Sequence, residues 1–290
     1  MNINQYSKTE TRIGILALLI VAFFYAVLVI PTKNLPQVNS LFLVWSGFSI
    51  TAILSGIIAF YKNPQFLKSI LKNDYKLATG LGIMHVSSSV CLNSAIKLTD
   101  ISVVGLLLYT APIWVFSFCL INKKIELNLK NSSIIILSII STLLIMNIQE
   151  FNFELGVILG LLSGFFYSFD FIWGEKLQEK YTGIEVVAFI HMVGSIILIP
   201  TIWITPDFSL FQFVDYFWLF SFGGLLTLSF ILFMYGVKRV SAFYSSIITL
   251  LEPVLMGLIG LFLYSEKPEP NVLIGGAIIL LCIYLVQKQD

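Results

Sequence analysis

Gly14-Ile-Leu-Ala-Leu-Leu-Ile-Val-Ala-Phe23-Phe24-Tyr25-Ala-Val-Leu28-Val-Ile30 and Gly156-Val-Ile-Leu-Gly160-Leu-Leu-Ser163-Gly164-Phe165-Phe166-Tyr167-Ser-Phe-Asp170-Phe-Ile172 align without a gap when Gly14 is set against Gly156. Leu19, Phe23, Phe24, Tyr25 and Ile30 then meet Leu161, Phe165, Phe166, Tyr167 and Ile172. A second pair of segments matches at a displacement one residue shorter: Lys97 to Pro112 and Lys238 to Pro253 have the same separation, each a charged connection leading into an apolar stretch with a proline. The chain is therefore read as a duplication, 1–150 and 151–290. Each copy holds five stretches of membrane length, and an odd-numbered unit used twice in one bilayer sits upside down the second time.

Composition agrees. Of 290 residues 58% are hydrophobic and 11% charged, against roughly 25% charged in a soluble domain. Cutting at charges and turn residues leaves ten apolar stretches, near 12–30, 39–61, 77–96, 101–121, 132–148, 155–174, 184–204, 216–237, 241–264 and 271–287. Each is close to the ~20 residues that cross a hydrocarbon core as a helix. The expected fold class is an all-α membrane protein of ten transmembrane helices in two inverted five-helix repeats. Among the 17 Lys and Arg, only Lys33, Lys97 and Lys267 fall opposite the side holding the termini, so the positive-inside rule places both termini in the cytoplasm. Net charge is +1, which by itself says nothing about partners; no nucleic-acid partner is expected. Cys91, Cys119 and Cys282 all lie within spans and act as small apolar residues.

Polar side chains at membrane depth are few, and each costs about 2.5–3.5 kcal/mol on insertion scales unless it faces a partner or a wet cavity. Glu252 lies mid-span, with Ser241, Ser245 and Thr249 on its helical face; it is either a pathway carboxylate or a folding residue tied to Pro253. Asp170 shares a face with Gly156, Gly160, Ser163 and Tyr167. It either looks into a cavity or snorkels to Lys176 or Arg239, while the glycines form a ridge for close packing. His85, Ser89 and Asn93 make a polar stripe that can line a cavity and carry a proton, or can be satisfied internally. His191 has only Ser195 beside it and reads as structural; with His85 it lacks a third metal ligand, so no metal is expected. Tyr25 and Tyr167 are repeat-related, and Tyr109 and Trp114 flank Pro112. Pro112 and Pro253 are expected to bend their spans and serve as gating points.

With these residues in view, the chain resembles the drug/metabolite transporter superfamily in its EamA-like branch. The resemblance rests on the ten-span layout, on Leu251-Glu252-Pro253-Val254 with Leu263-Tyr264-Ser265-Glu266, and on Ile274-Gly275-Gly276-Ala277 in the last span. Thr110-Ala111-Pro112 departs from the pattern in the first half, where the acidic residue is absent. The resemblance implies a central cavity built largely from spans 1, 3, 4, 6, 8 and 9, and alternating access. No nucleophile with a base, phosphate loop or cofactor motif appears, so neither enzyme chemistry nor a cofactor is expected. The function expected is a secondary transporter of the inner membrane, an exporter of a small polar or amphipathic metabolite such as an amino acid, working with a proton or a counter-substrate. An importer of a cationic metabolite and a non-transporting membrane sensor are the alternatives.

Overall fold

The protein is described here by a computed structural model covering residues 7–96, 98, 107–146, 154–204, 211–264 and 270–287, all helix and connecting turns without a strand. The helices are α1 Lys8–Val27, α2 Val29–Lys33, α3 Ser40–Lys62, α4 Phe66–Asn73, α5 Tyr75–Ile96, α6 Ala111–Ile121, α7 Leu129–Met146, α8 Leu155–Leu177 and α9 Gly183–Ile197. A 3-10 turn, Ile199–Ile204, then leads on to α10 Phe213–Val240, α11 Ala242–Ile248, α12 Leu251–Tyr264 and α13 Pro270–Gln287.

Lys8–Lys33, Leu41–Lys62, Leu155–Leu177 and Phe213–Val240 are long and apolar enough to cross a membrane, and Ala111–Ile121, Leu129–Ser141, Gly183–Ile197 and Leu273–Val286 are shorter apolar helices. Their outer surface is apolar: Ile13, Leu16, Ile20 and Phe23 form an exposed stripe on α1 at helical spacing, while His85, Ser163, Asp170 and Ser245 are buried. Polar groups inside and apolar groups outside is the arrangement a lipid solvent favours.

Packing is balanced between the two halves. The most extensive contacts are α5 on α8 and α1 on α10, followed by α3 on α9 and α7 on α13. Contacts of α3 with α10 are matched by those of α5 with α9, and those of α1 with α12 by those of α6 with α8. Exchanging the halves turns α5 on α8 into α1 on α10, and likewise each matched pair into its counterpart, while α3 on α9 and α7 on α13 map onto themselves. Glycines bring the crossings close. A Cβ at Gly194 would stand 2.5 Å from the Phe48 ring, so its absence lets α3 press that ring against α9.

Neither proline bends a continuous helix. Turns at Tyr109–Thr110 and Thr249–Leu250 break the spans first, and Pro112 and Pro253 then lie in the opening turns of α6 and α12. In a first turn the backbone N–H has no partner within the helix, so proline costs nothing there. The expectation of mid-helix bends is corrected to matched breaks. The first break rests on α8, where a Cβ at Gly164 would meet the Leu107 carbonyl and stand 2.6 Å from Thr110 Oγ1. Gly164→Ala should therefore lower stability by about 1–3 kcal/mol through overpacking. Gly224→Ala, with nothing within 4 Å of its Cβ, should show no such packing loss, and thermal unfolding in detergent compares the two.

The short α4 has no counterpart in the sequence reading: Phe66 and Ile70 pack inward while Lys68 and Lys72 remain exposed. At this end of the bundle Lys180 Nζ donates to both Asp74 oxygens, at 2.9 and 3.1 Å, and the Tyr181 hydroxyl donates to Asp74 at 2.8 Å. The bond from Lys180 is the main cause holding the Asp74 carboxyl below its usual range, and Asp74 holds Lys180 above its own. A lowered acid stabilises above the ordinary carboxylate value, and that contribution is lost as pH falls through the lowered one. A raised base contributes below the ordinary lysine value, and that is lost as pH rises through the raised one. The latch is thus complete between about pH 4 and 10. Asp74→Asn should speed hydrogen exchange in residues 63–75 at pH 7, and the difference from the native protein should shrink as pH falls through the lowered carboxylate range.

Candidate functional site

The breaks before the two prolines bring two candidates together. Tyr109, at the turn before α6, hydrogen-bonds the Glu252 carboxyl in the first turn of α12. Tyr167 of α8 and Tyr25 of α1 both lie within electrostatic range of Glu252 and of Asp170. The Tyr25 hydroxyl is buried without a partner, as is Ser245 Oγ on α11. One phenol, from the first break, thus bonds the carboxyl that opens α12, and two more, from α1 and α8, lie within its electrostatic reach. Tyr25 is held edge-on by Phe230 at 5.8 Å, and Tyr167 by Phe171 at 5.1 Å.

His85 and Asp170 meet each other, which neither sequence alternative for Asp170 named. His85 Nδ1 lies 2.8 Å from Asp170 Oδ2, with both side chains buried. The snorkelling alternative is corrected: the partner of Asp170 is His85 on α5, because α5 crosses α8 closely here. The Ser88 hydroxyl donates to the Ser163 carbonyl at 2.9 Å in the same crossing. The His85 ring stacks on Phe48 at 4.9 Å and 11°, and stands 5.0 Å from the ring of His191.

The remaining candidates are bound locally. Asn93 Nδ2 donates to the Ser89 carbonyl, Ser163 Oγ to the Gly160 carbonyl and Thr249 Oγ1 to the Ser246 carbonyl, at 2.7, 2.6 and 3.0 Å. Trp114 Nε1 donates to Thr110 Oγ1 at 3.3 Å and its ring meets Phe165 edge-on at 5.3 Å, facing an aromatic cluster that includes Phe118 and Phe169. Pro112 is buried beside Tyr109, and Pro253 follows Glu252 directly. The Ser265-Glu266 exit lies outside the described residues. The sequence pattern points to Ser89 where the crossing uses Ser88, and it gives no signal for Phe48 and Phe230, which carry no polar group. Among the described residues no group of three His, Cys, Asp or Glu could hold a metal ion.

Comparison with known proteins agrees with this architecture. Residues 12–147 and again 154–287 match the EamA-like transporter family. An uncharacterized transporter of Archaeoglobus fulgidus is 28% identical over 230 residues, 78% of this chain and 81% of its own. An uncharacterized transporter of Clostridium kluyveri is 23% identical over 286 residues, 92% of this chain and 91% of its own. A solved crystal structure shares the fold with a TM-score of 0.80 over 97% of this chain and 96% of its own, at 17% identity.

Proposed function

The chain belongs to the EamA-like transporter family, and from that premise we propose that it is a secondary transporter whose substrate is a small polar or amphipathic metabolite carrying an amine, such as an amino acid. Family membership makes it a multi-pass membrane transporter rather than an enzyme. The finer reading is ours. Ten spans form two inverted repeats, 1–150 and 151–290, with both termini in the cytoplasm and the chain in the inner membrane. The repeats rock against each other in alternating access, in the direction of export, driven by a proton or a counter-substrate.

The observation that carries the substrate class is the setting of Glu252. Its carboxyl stands among three phenols, and the charged groups that act on those phenols are Glu252 and Asp170, both acids. A buried carboxyl with no basic partner among the groups acting on its tyrosine neighbours suits an ammonium ion, which donates a charge-assisted hydrogen bond to the carboxylate it pairs with. Tyr25 and Ser245 bring unpaired hydroxyls for the polar remainder of the substrate. The breaks before α6 and α12 interrupt two spans at matched places, as discontinuous helices do at transporter sites.

A panel of amines, neutral polar metabolites and carboxylates, screened by thermal unfolding of the purified protein, tests this. A ligand at a hundred times its Kd stabilises by about 2.7 kcal/mol. Amines should raise the unfolding temperature while their N-acetylated forms do not. Stabilisation by carboxylates alone, or by nothing in the panel, defeats the reading.

A further inference from the structure

We propose that Asp170, His85 and His191 form a proton-binding site separate from the tyrosine and Glu252 group, in which one proton is shared between the carboxylate and the imidazoles. The proton site stands on its own geometry; only its coupling to transport rests on the reading given under Proposed function.

The three side chains come from α8, α5 and α9 and are between 0% and 4% exposed. His85 Nδ1 faces Asp170 Oδ2 at 2.8 Å, and the two imidazole rings are 5.0 Å apart. His191 Nδ1 lies 2.9 Å from the Val187 carbonyl. A carbonyl only accepts, so that nitrogen carries a hydrogen and Nε2 is the position open to a second. His85 Nε2, His191 Nε2 and Asp170 Oδ1 are all buried without a partner. Three unpartnered polar atoms in one small cluster are unusual, since buried polar groups are nearly always paired.

Charge accounts for the arrangement. With both imidazoles neutral and the carboxylate ionised, the cluster holds one uncompensated negative charge in a low-dielectric interior. One added proton makes it neutral. The groups facing His85 from each element packed on it are Phe48 on α3, Asp170 on α8, His191 on α9 and Phe230 on α10. Tyr167 and Tyr25 are the other titratable groups near Asp170. The stacked face of Phe48 favours an imidazolium as it favours other cations. Helix packing alone does not require the acid: the repeat sets Leu28, at the end of α1, against Asp170, and α1 packs on α10 as α8 packs on α5.

Tyr25 and Tyr167 feel both Asp170 and Glu252, so a cation arriving at Glu252 and a proton resident at Asp170 repel. Loading of an amine then favours release of the proton, which is the elementary condition for exchange.

The chain has two histidines, and both are in this site. Histidine-selective nitrogen-15 NMR of the full-length protein in lipid nanodiscs, without a polyhistidine tag, therefore reads the site directly. The expected result is an imidazolium signal at neutral pH in the native protein, lost in Asp170→Asn, and a pH profile of His85 that changes in His191→Gln. If Asp170→Asn does not fold, His191→Gln and the native spectrum decide. Two neutral imidazoles throughout about pH 5–8, the range in which an unperturbed histidine titrates, would overturn the proposal. So would a His85 profile indifferent to both substitutions. The coupling is tested separately: flux into liposomes should respond to a pH gradient, and a flat response removes the coupling while leaving the proton site intact.

Discussion

Replacing His85 by leucine is expected to destabilise the protein by about 3–5 kcal/mol, because it strips the partner from a buried carboxylate and leaves an uncompensated charge. Asp170 is fully buried and its only ion pair among the described residues is with His85. Asp170→Leu should cost less, about 1–3 kcal/mol, since what remains is a neutral imidazole lacking one hydrogen bond. The double substitution His85→Leu with Asp170→Leu should recover most of the loss. It converts the α5 and α8 crossing to an apolar one, with leucine at position 170 as the first repeat has at Leu28. A buried ion pair replaced whole by apolar residues is commonly neutral or stabilising. Unfolding in mixed micelles, followed by tryptophan fluorescence, measures all three, and equal losses for the single and double variants would show that the pair is not the unit.

Glu252→Gln is expected to lower affinity for an amine substrate by about 10- to 100-fold. That is the range corresponding to a charge-assisted hydrogen bond of about 1.5–3 kcal/mol. The change keeps size and the hydrogen bond with Tyr109 but removes the negative charge. Tyr109→Phe separates the two contributions, since it keeps the charge and deletes the hydroxyl; its effect should stay within about tenfold. Binding isotherms for one amine against the three proteins give both ratios.

Much of the fold can be read from the residues alone. The Phe-Phe-Tyr match of 23–25 with 165–167 announces the duplication, and the lengths of the apolar stretches announce a bilayer. The Gly156, Gly160 and Gly164 ridge is visible as a close-packing surface, and two of the three glycines do receive the segment at Leu107–Thr110. The breaks at Tyr109 and Thr249 were hidden, because a proline in an apolar run looks alike whether it bends a helix or opens one. Helix α4 was hidden for another reason: eight residues with Lys68 and Lys72 fall below the length of any span.

At the candidate site the residue types were readable and their grouping was not. Tyr25, Tyr109, Tyr167 and Glu252 stood out singly; their convergence depends on how α1, α8 and the two breaks pack. The Asp170 and His85 pair depends on the rotation of α5 against α8, which one sequence does not encode in any periodicity. That same rotation turns Ser88, and not Ser89, toward Ser163. Asn93 and Thr249 looked like cavity donors, yet each spends its donor on its own helix backbone, an option open to any short polar side chain in a helix.

The central claim is that the tyrosine and Glu252 group binds the transported metabolite. The most direct measurement reconstitutes the native protein and Glu252→Gln in liposomes and follows flux of the amine that most stabilises the native protein. Saturable flux through the native protein, reduced at least tenfold in Glu252→Gln at limiting substrate, is the result predicted from the charge-assisted bond. Equal flux through both proteins, or native flux no faster than in empty liposomes, would contradict it.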